Sequence, residues 1–274
     1  IHLAPQQAEA VRLAMTQGVL VITGGPGTGK TTIIRCIAEI LSEMQMEFAL
    51  AAPTGRAAKR MTEATGCEAK TLHRLLEYVP GEGFQRNADN PLFYDMIIVD
   101  EASMVDVPLL NALLAAIPEG TRLIMVGDSD QLPSVGPGDA LRDITASGAI
   151  RVVRLTEIFR QAQQSRIVTN AHRINDGLQP LLDGGPESDF RFEEIPSQEQ
   201  ALSRVLDLCA HPDADMPVGE PLLDMQVLVP MKKGPLGVYH LNTRLQESLN
   251  PPAPEKAEHT FGERILRVGD KVMH

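Results

Sequence analysis

The consecutive residues Gly24-Gly25-Pro26-Gly27-Thr28-Gly29-Lys30-Thr31-Thr32 carry the residue types that holding a chain of phosphates demands. Glycines let backbone N–H groups turn inward around phosphate oxygens, and the start of a helix adds partial positive charge. Lys30 at this spacing reaches the β- and γ-phosphates, and the Thr31 hydroxyl is placed to hold Mg²⁺. The pattern G-x-x-x-x-G-K-[ST] gains meaning from its flanks. Before it stands the apolar run Val19-Leu20-Val21-Ile22-Thr23, of buried-strand type; after it comes the helical run Ile33-Ile34-Arg35-Cys36-Ile37-Ala38. Strand, phosphate loop and helix in that order predict a P-loop with ATP as ligand and Gly25 through Thr32 as its contacts.

A second set of reactive residues lies at Asp95-Met96-Ile97-Ile98-Val99-Asp100-Glu101. An apolar strand that ends in two carboxylates suits Mg²⁺ at Asp100, through water, and a water-activating base at Glu101. A third strand, Leu123-Ile124-Met125-Val126, runs into the polar, glycine- and proline-rich loop Gly127 to Gly138. That loop belongs beside the nucleotide, with Gln131 as a sensor of the γ-phosphate.

These groups need a frame, and the alternation of apolar strands with amphipathic helices predicts an open parallel α/β sheet of the P-loop NTPase type. Helices are expected after Pro5 and over Val107–Ile117, and a strand over Glu47–Ala52. Ligands of such sheets collect beyond the carboxyl ends of strands. Thr54 and Arg56, just past Ala52, are therefore either phosphate-chain contacts or, with Lys59 and Arg60, a solvated helix face. Gln7 is either a solvated helix residue or an amide for the adenine edge. His73, in the capped turn Thr71-Leu72-His73-Arg74, is more often structural than functional in such a place. From Glu77 to Tyr94 turn residues interrupt the rhythm, and the stretch reads as a small β-hairpin insertion or a surface loop.

Composition narrows the partners. The 274 residues carry a net charge of −11, which on its face disfavours nucleic acid, although a locally basic channel needs only a few well-placed cations. No apolar run reaches membrane-spanning length, so no membrane partner is expected. Three scattered cysteines, Cys36, Cys67 and Cys209, point to no zinc site or disulfide framework and suit a reducing cytoplasm. The start at Ile1-His2, without an initiator Met, reads as an excised fragment.

The segments GGPGTGKTT, APTGRAAKRM, TLHRLL, IIVDEASM, VGDSDQLPSVGPGD and LTEIFRQ occur in the order found in superfamily 1 DNA helicases. Their wording resembles the RecD branch, the exodeoxyribonuclease V alpha-subunit family and its stand-alone relatives. Later stretches, Gln226-Val227-Leu228-Val229-Pro230-Met231 and Gly237 to Pro251, look more like the stand-alone members. The resemblance implies a helicase motor of two RecA-like domains using ATP and Mg²⁺ on single-stranded DNA and single/double-strand junctions. It implies nuclease-complex subunits as further partners and leaves a non-unwinding, nucleotide-gated subunit as the alternative.

By that resemblance Gln7 takes the adenine role, Arg160 touches the γ-phosphate, and Gln131 couples that phosphate to DNA contacts. Thr54, Arg56 and His73 line the single strand, and Glu77–Tyr94 stands where this branch carries a strand-splitting pin. The first domain is expected over 1–158 and a partial second RecA-like domain over 159–274. In the latter, strands are expected at Phe190–Phe192, Gln226–Val229 and Ile265–Val268, and helices at Ser165–Asn175 and Ser197–Cys209. Motifs of the T-x-H-x-x-Q-G and Y-x-A-x-T-R types, expected later in the family, do not occur in this sequence.

Overall fold

The computed structural model describes residues 3–158, 164–183, 185, 188–213, 216, 218–262 and 264–272. The chain divides into two compact units, Ile1–Arg191 and Phe192–His274. The helix α7 defined below thus belongs with the first unit, although the sequence places a boundary at residue 158.

Six strands build the main sheet of the first unit: β1 (Val19–Gly24), β2 (Phe48–Ala52), β3 (Ala69–Thr71), β6 (Met96–Val99), β7 (Arg122–Gly127) and β8 (Arg151–Leu155). They form one parallel sheet in the order β3-β2-β6-β7-β1-β8. Helices α1 (Pro5–Ala14), α2 (Lys30–Glu43), α3 (Gly55–Thr65), α4 (Leu72–Leu75), α5 (Val107–Ala116), α6 (Ala140–Ser147) and α7 (Arg166–Asn175) complete it.

Interior strands of a parallel sheet are covered on both faces, so β1, β6 and β7 must be apolar at almost every position. Side chains that alternate across a strand then sort themselves into two cores. Leu20, Ile22, Ile98, Ile124 and Val126 pack with Ala10 and Leu13 of α1 and with Ile33, Ile37 and Leu41 of α2. Val21, Ile97, Val99, Leu123 and Met125 pack on the other side with Leu72 and Leu75 of α4, Leu109 and Leu113 of α5, and Leu141 of α6. Each such side chain contributes roughly 1.5–3 kcal/mol on burial. The edge strands β3 and β8 have a neighbour on one side only, and both carry polar residues.

The insertion after α4 contains a two-stranded antiparallel hairpin, β4 (Tyr78–Val79) and β5 (Gly83–Phe84), shorter than its Glu77–Tyr94 span. Its rings rest on α4: His73 lies 5.5 Å from Tyr78 and 5.6 Å from Phe84, and those two are 5.0 Å apart. Arg86 and Glu77 close the base with an ion pair of 2.8 Å.

In the second unit the helices Gln198–Ala210 and Val238–Leu249 accompany one antiparallel pair, β9 (Glu258–Phe261) and β10 (Arg264–Arg267). Here the structure departs from the sequence reading. Phe190–Phe192 and Gln226–Val229 are not strands, and the described residues contain no parallel sheet of a second RecA-like domain. Both runs are apolar enough for a strand, yet no described strand pairs with either, and a lone strand leaves its backbone groups unmatched. The expected strand at Ile265–Val268 is β10, displaced by one residue.

Candidate nucleotide-binding site

The phosphate loop leaves the carboxyl end of β1 and enters α2 at Lys30. Gly27 and Gly29 turn the chain with φ of 77° and 79°, the left-handed region that glycine enters without a Cβ penalty. Two hydrogen bonds stiffen the loop. The Thr28 hydroxyl donates to the Gly25 carbonyl at 2.8 Å, and Gln7 Nε2 donates to the Thr28 carbonyl at 3.2 Å. Gln7 Oε1 accepts from the Ala4 amide at 3.1 Å, and the side chain is only 3% exposed. Gln7 is therefore no solvated helix residue, since its amide is engaged with backbone behind the loop.

Lys30 Nζ donates to the carbonyls of Gly24 at 2.6 Å and Gly25 at 3.0 Å. Burial holds its amine below the usual lysine range, while the carboxylates of Asp128, Glu101 and Asp100 pull the other way. A buried cation among three carboxylates leaves excess negative charge, so bound phosphates would draw on the loop's amides and a divalent cation as well as on Lys30.

Asp100 follows β6. Burial pushes its carboxyl above the usual aspartate range; the hydrogen bond from the Glu101 amide, 2.9 Å, lowers it again in part, and the Glu101 charge adds to the rise. Lys30 and Arg60 act to lower it. Glu101 itself has φ 51° and ψ 39°, a left-handed conformation for a residue with a Cβ, at a cost on the order of 1–3 kcal/mol. That conformation turns the chain sharply between β6 and the 3-10 turn Ala102–Met104. A cleft of about 330 Å³ opens beside these carboxylates, lined by Thr31 of α2, Ala57, Arg60 and Met61 of α3, and Asp100 and Glu101. Thr31 and Asp100 are oxygen donors of the kind Mg²⁺ takes in phosphoryl-transfer sites, where one or two protein oxygens join phosphates and waters.

At the end of β7, Asp128 is 3% exposed and folds its own turn, accepting from the Asp130 amide at 3.1 Å and from Gln131 Nε2 at 3.4 Å. Thr23 of β1 accepts from the Ser129 amide at 3.1 Å and ties this turn to the phosphate loop. Gln131 is exposed and engaged with Asp128. Thr54 uses its hydroxyl to cap α3, accepting from the Ala57 amide at 3.2 Å, and Arg56 beside it is exposed. His73 is exposed on α4 against the hairpin rings. These three residues share the carboxyl edge of the neighbouring strands β2 and β3. Arg160 lies outside the described residues.

Asp128 and His172 were not singled out in the sequence. Asp128 was legible as the acidic end of a third buried strand. His172 was not, because nothing in its local pattern separates it from an ordinary helix residue.

A profile for the AAA domain family matches residues 7–137. The ATP-dependent RecD2 DNA helicase of Deinococcus radiodurans is 39% identical over 271 residues, 99% of this chain and 36% of its own length. The RecBCD enzyme subunit RecD of Mycobacterium tuberculosis is 35% identical over 278 residues, 88% of this chain and 48% of its own. The RecD subunit of Mycolicibacterium smegmatis is 34% identical, over 91% of this chain and 51% of its own length. This chain thus spans about a third to a half of the curated relatives it matches. Among solved structures, the crystal structure of Pif1 helicase from Candida albicans aligns with a TM-score of 0.52 at 25% identity, over 76% of this chain and 55% of that one. With P-loop, acidic strand end and Gly-Asp-Ser-Asp-Gln turn joined on one parallel sheet, the chain is related along nearly its whole length to RecD-type helicases.

Proposed function

We propose that this chain is the ATP-hydrolysing core of a DNA helicase that moves 5′→3′ along single-stranded DNA and opens duplexes at single/double-strand junctions, in DNA repair and recombination. The observation that supports it best is the convergence of Lys30 with Asp100, Glu101 and Asp128 at the carboxyl end of one sheet. Backbone amides of the loop and Lys30 bind and orient the phosphates of ATP. Glu101, beside Asp100 and Thr31 in the cleft, orients and deprotonates the attacking water. Thr31 and Asp100 would hold Mg²⁺, which would neutralise charge that develops on the phosphates. Arg160 adds positive charge at the γ-phosphate, Gln131 relays its presence, and the adenine lies near Gln7. Thr54, Arg56 and His73 follow the DNA strand along the β2–β3 edge, and the hairpin after α4 meets the fork.

DNA-stimulated ATP turnover in the full-length protein tests this reading. Stimulation by single strands together with unwinding of a 5′-tailed duplex is expected. Turnover indifferent to DNA would reduce the protein to an ATPase without a nucleic-acid partner. The matches to subunits of the RecBCD enzyme favour one further reading, a nucleotide-gated subunit of a nuclease complex. DNA binding without unwinding until partner subunits are added would support it.

A further inference from the structure

Helix α7 contributes nothing to the motifs on which the nucleotide reading rests, yet it places an imidazole on the phosphate loop. A Cβ built on Gly25 would stand 2.5, 3.3 and 3.4 Å from Cε1, Nε2 and Nδ1 of His172, and these are its three nearest neighbours. Gly25 is not among the glycines of positive φ, so what a side chain there would meet first is the imidazole, the movable end of His172. His172 Nε2 also lies 3.4 Å from the Pro26 carbonyl, long for a hydrogen bond and weak accordingly.

The other side of Gly25 locates this contact within the site. Its carbonyl accepts from Lys30 Nζ at 3.0 Å. A P-loop lysine reaches the β- and γ-phosphates, whereas the loop's backbone N–H groups cradle the inner ones. Gly25 therefore marks the terminal-phosphate end, and His172 stands at that end. The helix that carries it is braced. Asn170, 2% exposed, donates to the Leu181 carbonyl at 3.0 Å and accepts from the Leu181 amide at 2.7 Å. Asp189 accepts from the Arg166 and Ile167 amides at 2.7 and 3.2 Å, so the first turn of α7 is fixed as well.

We propose that His172 is a nucleotide-site residue that recognises the terminal phosphate of a nucleoside triphosphate, its Nε2–H exchanging the weak Pro26 acceptor for a phosphate oxygen. A charged oxygen is the stronger acceptor, so the exchange favours triphosphate over diphosphate. The inference rests on the P-loop reading given above.

The test compares affinities of the full-length protein for fluorescent ADP and for a non-hydrolysable fluorescent ATP analogue. His172→Ala should weaken the analogue about tenfold, as expected for one hydrogen bond to a charged group, and ADP less than about twofold. His172→Gln, which keeps an N–H donor, should recover most of the difference. Equal losses for both nucleotides, or no rescue by glutamine, would each overturn the proposal. If the unsubstituted protein bound neither nucleotide, the P-loop reading beneath it would fall instead.

Discussion

Gln7 Nε2 donates to the carbonyl of Thr28, so helix α1 is tied directly to the phosphate loop. Removing that donor leaves a buried carbonyl unmatched, at a cost of about 1–3 kcal/mol. Gln7→Ala should weaken ADP binding roughly fivefold or more, and Gln7→Glu, similar in shape but without the N–H, should do the same. Equilibrium titration with fluorescent ADP checks this; retained affinity in Gln7→Glu would show that shape alone fixes the loop.

Lys30→Ala and Glu101→Gln should separate binding from chemistry. Loss of the ammonium removes the charge that meets the phosphates, so ATP affinity should fall by at least about a hundredfold. Glu101→Gln keeps the shape of the site but loses the base, so kcat should fall by about 10²–10⁴ while affinity changes little. Single-turnover kinetics beside nucleotide titration distinguish the two. Parallel losses of affinity would argue against a catalytic Glu101.

Asp100 carries the opposite sign for stability. Its carboxyl is raised by burial, so the folded state binds its proton more tightly than the unfolded chain does. The stabilising contribution is complete below the unfolded aspartate range and is lost as pH rises through the raised folded value. At neutral pH the ionised group therefore destabilises the fold. Asp100→Asn should raise Tm at pH 7 and abolish the Mg²⁺ dependence of nucleotide binding. The gain in Tm should shrink as the pH is lowered into the carboxylate range, which a thermal-melt series in pH records.

The hairpin rests on α4 through the rings of His73, Tyr78 and Phe84. Replacing 77–94 by a short Gly/Ser turn in the full-length protein should abolish duplex separation. DNA-stimulated ATP turnover should continue at a similar rate. Unwinding at the original rate in a stopped-flow strand-separation assay would remove the hairpin from the mechanism.

Arg56 is an exposed cation shortly after the end of β2, and a place in a DNA track would have a thermodynamic signature. Single-strand affinity should fall with salt at a slope of about −0.7 per neutralised phosphate. Arg56→Ala should flatten the slope by less than about one unit and leave ATP affinity intact. An identical slope would return Arg56 to the solvated face of α3.

What the sequence made legible follows from where burial is two-sided. Strands β1, β2, β6 and β7 are interior to the sheet and announce themselves as apolar runs ending in glycine, proline or acidic residues. The edge strands Ala69-Lys70-Thr71 and Arg151 to Leu155 carry too few apolar residues to stand out. They exist because a formed neighbour offers its backbone. The phosphate loop was readable since its chemistry is local. The contact of His172 with Gly25 spans the unit, and no local spacing encodes it. In the second unit, Gln226–Val229 has strand composition without a strand partner, and composition alone cannot supply one.

One feature of the sheet has a mechanical meaning. β1 is hydrogen-bonded along its length to β7 on one side and β8 on the other. A strand clamped on both flanks resists sliding, because any displacement must shear two ladders together. The phosphate loop is the tip of that strand, with the fourteen residues of α2 packed behind it. Under the proposed ATPase reading, pushes and pulls from splitting a phosphate bond would meet a fixed abutment at Gly24–Thr32. A stroke would then have to appear elsewhere, in elements that touch the loop without belonging to the sheet, of which α7 is one.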